Sequence, residues 1–215
     1  MQRFFRIMRF AGLAASFAIY AVLVHDVNAT GQATTLGAAL ALAPLMLISF
    51  ALLLRQESRV GGIVLLAAIM ILGWWNWPRI KQHTSLIFWL QDISLMLVLF
   101  FTFARTLLAG RKPLCVGFAE AIHGGNLPPA HAHYARQVTI AWALFFALMV
   151  LASTSLFFFA PLTVWSFFVN FLTLPLVALM FIIEYFVRHH VLPDAPQADI
   201  LAGVKAYRNM SGQKQ

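Results

Sequence analysis

Two carboxylic acids, Asp92 and Glu184, stand inside long apolar stretches of the sequence. An ionised Asp at the centre of a membrane helix costs about 2.5 to 3.5 kcal/mol on insertion scales, so each acid predicts a dedicated partner. Asp92 either lines a polar cavity, as a polar station for a transported molecule, or has a structural place, as a hydrogen bond between helices or a carboxylate near the membrane interface. Glu184 precedes Arg188 by four residues, which is the spacing of an intrahelical ion pair, and Arg136 is a candidate third member.

Histidines and the lone cysteine are the other groups that could do chemistry. Five of the seven histidines fall near the predicted cytoplasmic side, namely His123, His131, His133, His189 and His190. Their spacing does not place ligands on one helix face, so we predict no metal site and interpret them as solvated loop and interface residues. Cys115 has no second cysteine with which to form a disulfide.

Catalytic signatures are missing from the chain. No histidine is followed by an aspartate at acyltransferase spacing, and the sequence has neither a Gly-rich phosphate loop nor a Gly-x-Ser-x-Gly elbow. The sequence therefore predicts no cofactor and does not favour an enzyme. A membrane enzyme that acts on an acyl chain through the histidines and Glu184 remains an alternative.

The elements that must position these residues are apolar helices. Of 215 residues, 61% are hydrophobic and 10% are charged, whereas a soluble domain has about 25% charged residues. Six runs are long enough to cross a bilayer: 10–27, 36–54, 60–77, 86–108, 138–160 and 162–187. We expect an all-α polytopic membrane protein with about six transmembrane helices in one bundle, residues 1–192. The first run also has features of a cleaved signal peptide, which is the other interpretation of that segment.

Basic residues predict how the bundle is oriented. If the N-terminus is cytoplasmic, all of the 15 Lys and Arg residues except Arg79 and Lys81 lie on the cytoplasmic side. This distribution favours an even number of spans, an N-in/C-in topology in the bacterial inner membrane, a cytoplasmic loop at 109–137 and a cytoplasmic tail at 193–215. The net charge of +8 is then explained by orientation, and no nucleic-acid partner is predicted.

The predicted cytoplasmic loop carries a short amphipathic segment. Between Arg111 and His123, apolar residues recur at helical spacing, which predicts a helix on the cytoplasmic face. Arg105, Arg111 and Lys112 surround its start. We interpret these three cations as candidate contacts for an acidic acyl carrier protein or for the headgroups of membrane lipids.

From about Phe88 onward, several strings resemble a family of small bacterial membrane proteins labelled as xanthomonadin or aryl polyene biosynthesis proteins. These strings are residues 105–114, 127–129, 134–139, 142–146, 172–176, 184–185 and 200–208. They are fairly specific in combination, and the stretch over which they are spread, 105–208, is about half of the chain. None of them is a catalytic signature.

The resemblance implies a biological setting. Such proteins are encoded among acyl carrier protein, ketosynthase and acyltransferase genes that build polyene pigments. It implies an accessory or scaffold role beside those assembly enzymes, with acyl-carrier-bound intermediates as partners. By resemblance, the positions of interest are Tyr134, Arg136, Thr139, Trp142 and Glu184. A flippase or small transporter for lipid or pigment, using Asp92, is the remaining alternative.

Overall fold

A computed structural model describes residues 2–30, 34–54, 59–122 and 127–192 of the chain. Every regular element within these ranges is helical. The helices are α1 (Gln2–Thr30), α2 (Thr35–Leu53), α3 (Arg59–Trp75), α4 (Trp77–Gln82), α5 (Thr84–Ala104), α6 (Leu114–Ile122), α7 (Pro129–Phe159), α8 (Leu162–Phe167) and α9 (Thr173–Val191). A 3₁₀ turn, Arg105–Leu107, extends α5, and a π-helical turn, Phe168–Leu172, joins α8 to α9. The predicted all-α class is confirmed for the described residues.

Among the described residues, four helical segments are long and apolar enough to cross a membrane. They are Thr35–Leu53, Thr84–Leu107, Pro129–Phe159 and Leu162–Val191, with 19, 24, 31 and 30 residues. At a rise of about 1.5 Å per residue, even the shortest comes close to the roughly 30 Å hydrocarbon thickness of a bilayer. Many of their large apolar side chains are exposed, among them Leu47, Leu148 and Phe186. The protein is therefore a membrane protein.

The π-helical turn has a local cause in the sequence. Pro175 lies in the first turn of α9, where it has no N–H to donate and its ring crowds the carbonyl of Phe171. Immediately before it, the Thr173 N–H bonds to the Phe168 carbonyl five residues back instead of four. This widened turn keeps the segment from Leu162 to Val191 helical across the proline.

The described residues divide into two compact units. The first contains the chain up to Asp92 together with Ser153–Thr173, and the second contains the described residues between Ile93 and Ala152 and those from Leu174 onward. Each has its own packed aromatic residues. Residues 123–126 and the predicted tail, 193–215, lie outside the described ranges, so His123 and the C-terminal string of the family resemblance are not described further.

The first unit packs around Trp165, which is 1% exposed, with Val24, Ala41 and Phe88. Its helices approach closely where glycine replaces a side chain. A Cβ added to Gly62 on α3 would lie 2.7 Å from the backbone nitrogen of Leu53, the last residue of α2. Only a residue without a side chain fits at that distance.

The second unit packs around Trp142, which is 6% exposed. The centroid of its indole ring lies 4.6 Å from that of Phe181 on α9 and 6.1 Å from that of Phe103 on α5. Phe146, one turn along α7, lies 5.5 Å away. Trp142, a position of interest by resemblance, is a buried packing residue at which three helices meet.

Candidate functional site

Asp92 is held by a chain of hydrogen bonds inside the first unit. The Ser153 hydroxyl donates to Asp92 Oδ2 at 2.5 Å, and the Trp165 indole N–H donates to the Ser153 oxygen at 3.1 Å. Ser153 and Trp165 are each 1% exposed. These bonds link α5, α7 and α8 and agree with the second interpretation of Asp92, a hydrogen bond between helices.

Other polar side chains in the same unit are partly buried and hydrogen-bonded. Gln91 donates from Nε2 to the Ala41 carbonyl on α2 at 2.7 Å. His25 on α1 lies 3.2 Å from the Ser166 hydroxyl, measured from Nδ1. Asn170 donates from Nδ2 to that same hydroxyl oxygen at 3.1 Å. Sequence reasoning missed His25 as a site residue. Its place in the predicted first span was the available signal, because an ionisable side chain there needs a partner.

Glu184 and Arg188 form the predicted pair on α9 in the second unit. Arg188 Nε lies 3.7 Å from Glu184 Oε1. Tyr134 on α7 is buried, and its hydroxyl donates to the Glu184 backbone carbonyl at 3.2 Å, with Glu184 Oε1 at 3.5 Å. The structure thus brings together three of the predicted site residues. Arg136 is exposed and does not join Glu184 in an ion pair within the described part of the chain.

The short predicted helix in the loop is present as α6, and two threonines hold its beginning. The Leu114 N–H donates to the Thr106 hydroxyl oxygen at 3.1 Å, and the Cys115 N–H donates to the Thr139 hydroxyl oxygen at 3.2 Å. The first N–H groups of a helix have no partner inside it, so these hydroxyls satisfy two of them. Thr139 itself is fully buried and donates to the Ala135 carbonyl at 2.9 Å.

Cys115 lies at the start of α6 and is partly buried. Burial raises the pKa of its thiol, and the nearby Glu184 carboxylate raises that pKa further, although a hydrogen bond with Thr139 lowers it. A raised pKa disfavours the thiolate, which is the nucleophilic form. The surroundings of Cys115 therefore do not activate it.

The cations near α6 have different partners. Lys112 forms an ion pair with Glu120, with Nζ and Oε2 2.5 Å apart. Arg105 is exposed on the 3₁₀ turn. Arg111 and Arg136 line an open pocket of about 250 Å³, whose other lining residues are 107–110 and Pro113. In the described ranges neither of these two arginines has an acidic partner within ion-pair distance.

The described histidines stand apart from this pocket. His133 lies 3.2 Å from the Gln137 amide on the same helix, and the ring of His189 stacks against Tyr185 with centroids 6.5 Å apart. Among the described residues, no three His, Cys, Asp or Glu side chains come together as a group that could hold a metal ion.

Comparison with known proteins adds no relative to this description. No family model, no curated protein and no solved structure matches the chain. The resemblance to aryl polyene proteins consequently stays a prediction. Of the groups described above, the pocket between Arg111 and Arg136 is the one that is open and carries unpaired charge, so it is the candidate for binding a ligand or a partner.

Proposed function

We propose that the protein is an accessory or scaffold protein of the bacterial inner membrane that recruits acyl-carrier-bound intermediates during assembly of an aryl polyene or a related acyl lipid. The observation that supports this most is the pair of unpaired arginines, Arg111 and Arg136, beside a helix fixed by two threonine caps. Carrier proteins are acidic, and a basic surface of complementary charge speeds and orients their docking.

The proposed topology gives this surface access to soluble enzymes. We propose that α1, with 29 residues, and α3, with 17, also cross the membrane and complete six spans. With both termini inside, the loop that bears Arg111 faces the cytoplasm. Fusions of alkaline phosphatase and a fluorescent protein after Leu108 and after Lys81 test this orientation. A periplasmic signal at Leu108 would contradict it.

Carrier binding is tested with the purified protein in nanodiscs of neutral phosphatidylcholine. The probe is a purified acyl carrier protein, and its affinity is measured by biolayer interferometry at several salt concentrations. Replacing both Arg111 and Arg136 by alanine should weaken binding about thirtyfold, since each surface cation contributes about 1 kcal/mol. The salt dependence should fall in parallel.

Lys112→Ala is the matched control, because Glu120 already neutralises that ammonium group. It should change carrier affinity by less than about twofold. Equal carrier binding by the wild type, the double variant and this control would contradict the proposal. The hydrogen bond of Asp92, and the ion pair of Glu184 with Arg188, are made within the chain and do not favour the alternative functions, a flippase and an acyl-chain enzyme.

A further inference from the structure

The pocket lined by Arg111 and Arg136 has the composition of a site for an amphiphilic anion. Two guanidinium groups stand beside an apolar wall of Leu107, Leu108 and Pro113. Guanidinium is planar and presents a fork of donors that matches the oxygens of a phosphate group. A ligand that satisfies both parts of the pocket needs a phosphate at one end and hydrocarbon at the other.

Charges within the second unit do not supply that anion. Its described acids are Glu120 and Glu184, and each is already paired, the first with Lys112 and the second with Arg188. In the described part of this unit, no acidic side chain is therefore left to pair with Arg111 or Arg136. Two like charges that line one pocket of about 250 Å³ repel each other, and a bound anion would remove that repulsion.

The position of the pocket at the ends of two apolar segments points to the membrane as the source of the anion. Leu107 is the last residue of the membrane-crossing segment Thr84–Leu107. Arg136 stands two residues before Val138, where the long apolar run of α7 begins. Their places at the ends of two apolar runs favour a position near the headgroup level, where basic pockets bind anionic headgroups.

The turn beside the pocket depends on a glycine. Gly110 has a φ of +80°, a conformation that residues with a side chain rarely adopt, and an added Cβ there would meet nothing within 4 Å. The Arg111 N–H closes the turn by bonding to the Leu108 carbonyl at 3.1 Å. This turn fixes the backbone at Arg111, which lines the pocket together with Arg136.

We infer that this pocket binds the phosphate diester headgroup of an anionic phospholipid, with Arg111 and Arg136 as its two ligating cations. The inference does not depend on carrier recruitment. If the carrier also uses these arginines, anionic lipid competes with it, which is why the carrier experiment above is done in neutral lipid.

The test is native mass spectrometry of the purified protein, released from detergent micelles that contain phosphatidylglycerol or phosphatidylcholine at equal concentrations. The wild type should retain one phosphatidylglycerol in preference to phosphatidylcholine. Each of Arg111→Ala and Arg136→Ala should lower the retained fraction about fivefold, and the double variant about thirtyfold, from about 1 kcal/mol per cation. Lys112→Ala should match the wild type.

Two further measurements decide the cause of any loss. The variants Arg111→Lys and Arg136→Lys keep the charge, so they should retain more lipid than the alanine variants. The thermal unfolding temperature without added lipid should be the same for the wild type and all variants. Retention of both lipids to the same extent, or no effect of the double alanine variant, would overturn the inference. Release of the bound lipid by millimolar inorganic phosphate would also overturn it, since the site would then recognise phosphate alone.

Discussion

Ser153 connects the partly buried Asp92 with the buried Trp165, so its replacement by alanine tests whether this chain of hydrogen bonds in the first unit is structural. The hydroxyl donates to Asp92 and accepts from Trp165, at 2.5 and 3.1 Å. Alanine fits the space but can make neither bond. We expect Ser153→Ala to lower the free energy of unfolding while leaving the helical content unchanged.

The magnitude follows from the two bonds. A bond to a neutral partner contributes about 0.5 to 1.5 kcal/mol, and a bond to a charged group about 1.5 to 3 kcal/mol. Bonds between membrane helices are weaker on average, about 0.6 kcal/mol with a maximum near 1.7, because the unfolded chain in the membrane also finds partners. For the pair of bonds we therefore expect a loss of about 2 kcal/mol.

Reversible unfolding in mixed micelles, titrated with dodecyl sulfate and followed by circular dichroism, measures this loss. The matched control is Ser155→Ala, an exposed serine two residues along the same helix, which should change stability by less than about 0.5 kcal/mol. A double-mutant cycle of Ser153→Ala with Trp165→Phe isolates the indole bond from the packing lost at Trp165, and should give a coupling of about 0.6 to 1 kcal/mol. Equal stability of the two serine variants, or zero coupling, would refute the structural reasoning.

Three other predictions follow from single contacts. Gly62→Ala should destabilise the protein by more than about 1 kcal/mol in the same titration, because the new Cβ would overlap the backbone of α2. Its control, Gly61→Ala, should be neutral or slightly stabilising, since nothing lies near a Cβ at that position. Tyr134→Phe removes a bond to the α9 backbone and should cost about 0.5 to 1.5 kcal/mol, while the exposed Tyr185→Phe should cost less than a third of that. Alkylation of Cys115 by iodoacetamide at pH 7.5 should be slower than alkylation of a free cysteine, because the raised pKa leaves less thiolate at neutral pH. The alkylation rate of Cys115 should also keep rising with pH after the rate of free cysteine has levelled off. Equal rates for both thiols would contradict this prediction.

The sequence was sufficient for features set by short-range periodicity. Apolar length predicted the four described helical segments that can cross a membrane, and apolar spacing predicted α6. The pairing of Glu184 with Arg188 followed from a four-residue separation, since a helix brings such positions to one face. Each of these predictions needs only the geometry of one helix.

Contacts between helices could not be derived in the same way. The position of Asp92 in an apolar segment predicted that it has a partner, but the sequence could not identify which hydroxyl of the later spans that partner is. In the structure it is the hydroxyl of Ser153, 61 residues away. The sequence did not distinguish Lys112, which has an acidic partner, from Arg111, which has none in the described ranges. The pairing of Lys112 with Glu120, eight residues on, depends on the turn that precedes α6. No local pattern encodes these distances.

The two units suggest different roles because Asp92 in the first finds a partner within the chain, whereas two cations of the second have no acidic partner in the described ranges. In the first unit the carboxylate of Asp92 accepts a bond from within the chain, as expected for a group that stabilises helix packing in a membrane. In the second, the described acids are already paired with Lys112 and Arg188, whereas Arg111 and Arg136 are not. Both arginines are exposed next to an apolar wall, so their guanidinium groups are free to bind an anion from outside the described chain. Function in this protein is therefore best sought at Arg111 and Arg136, even though Asp92 is the more conspicuous residue in the sequence.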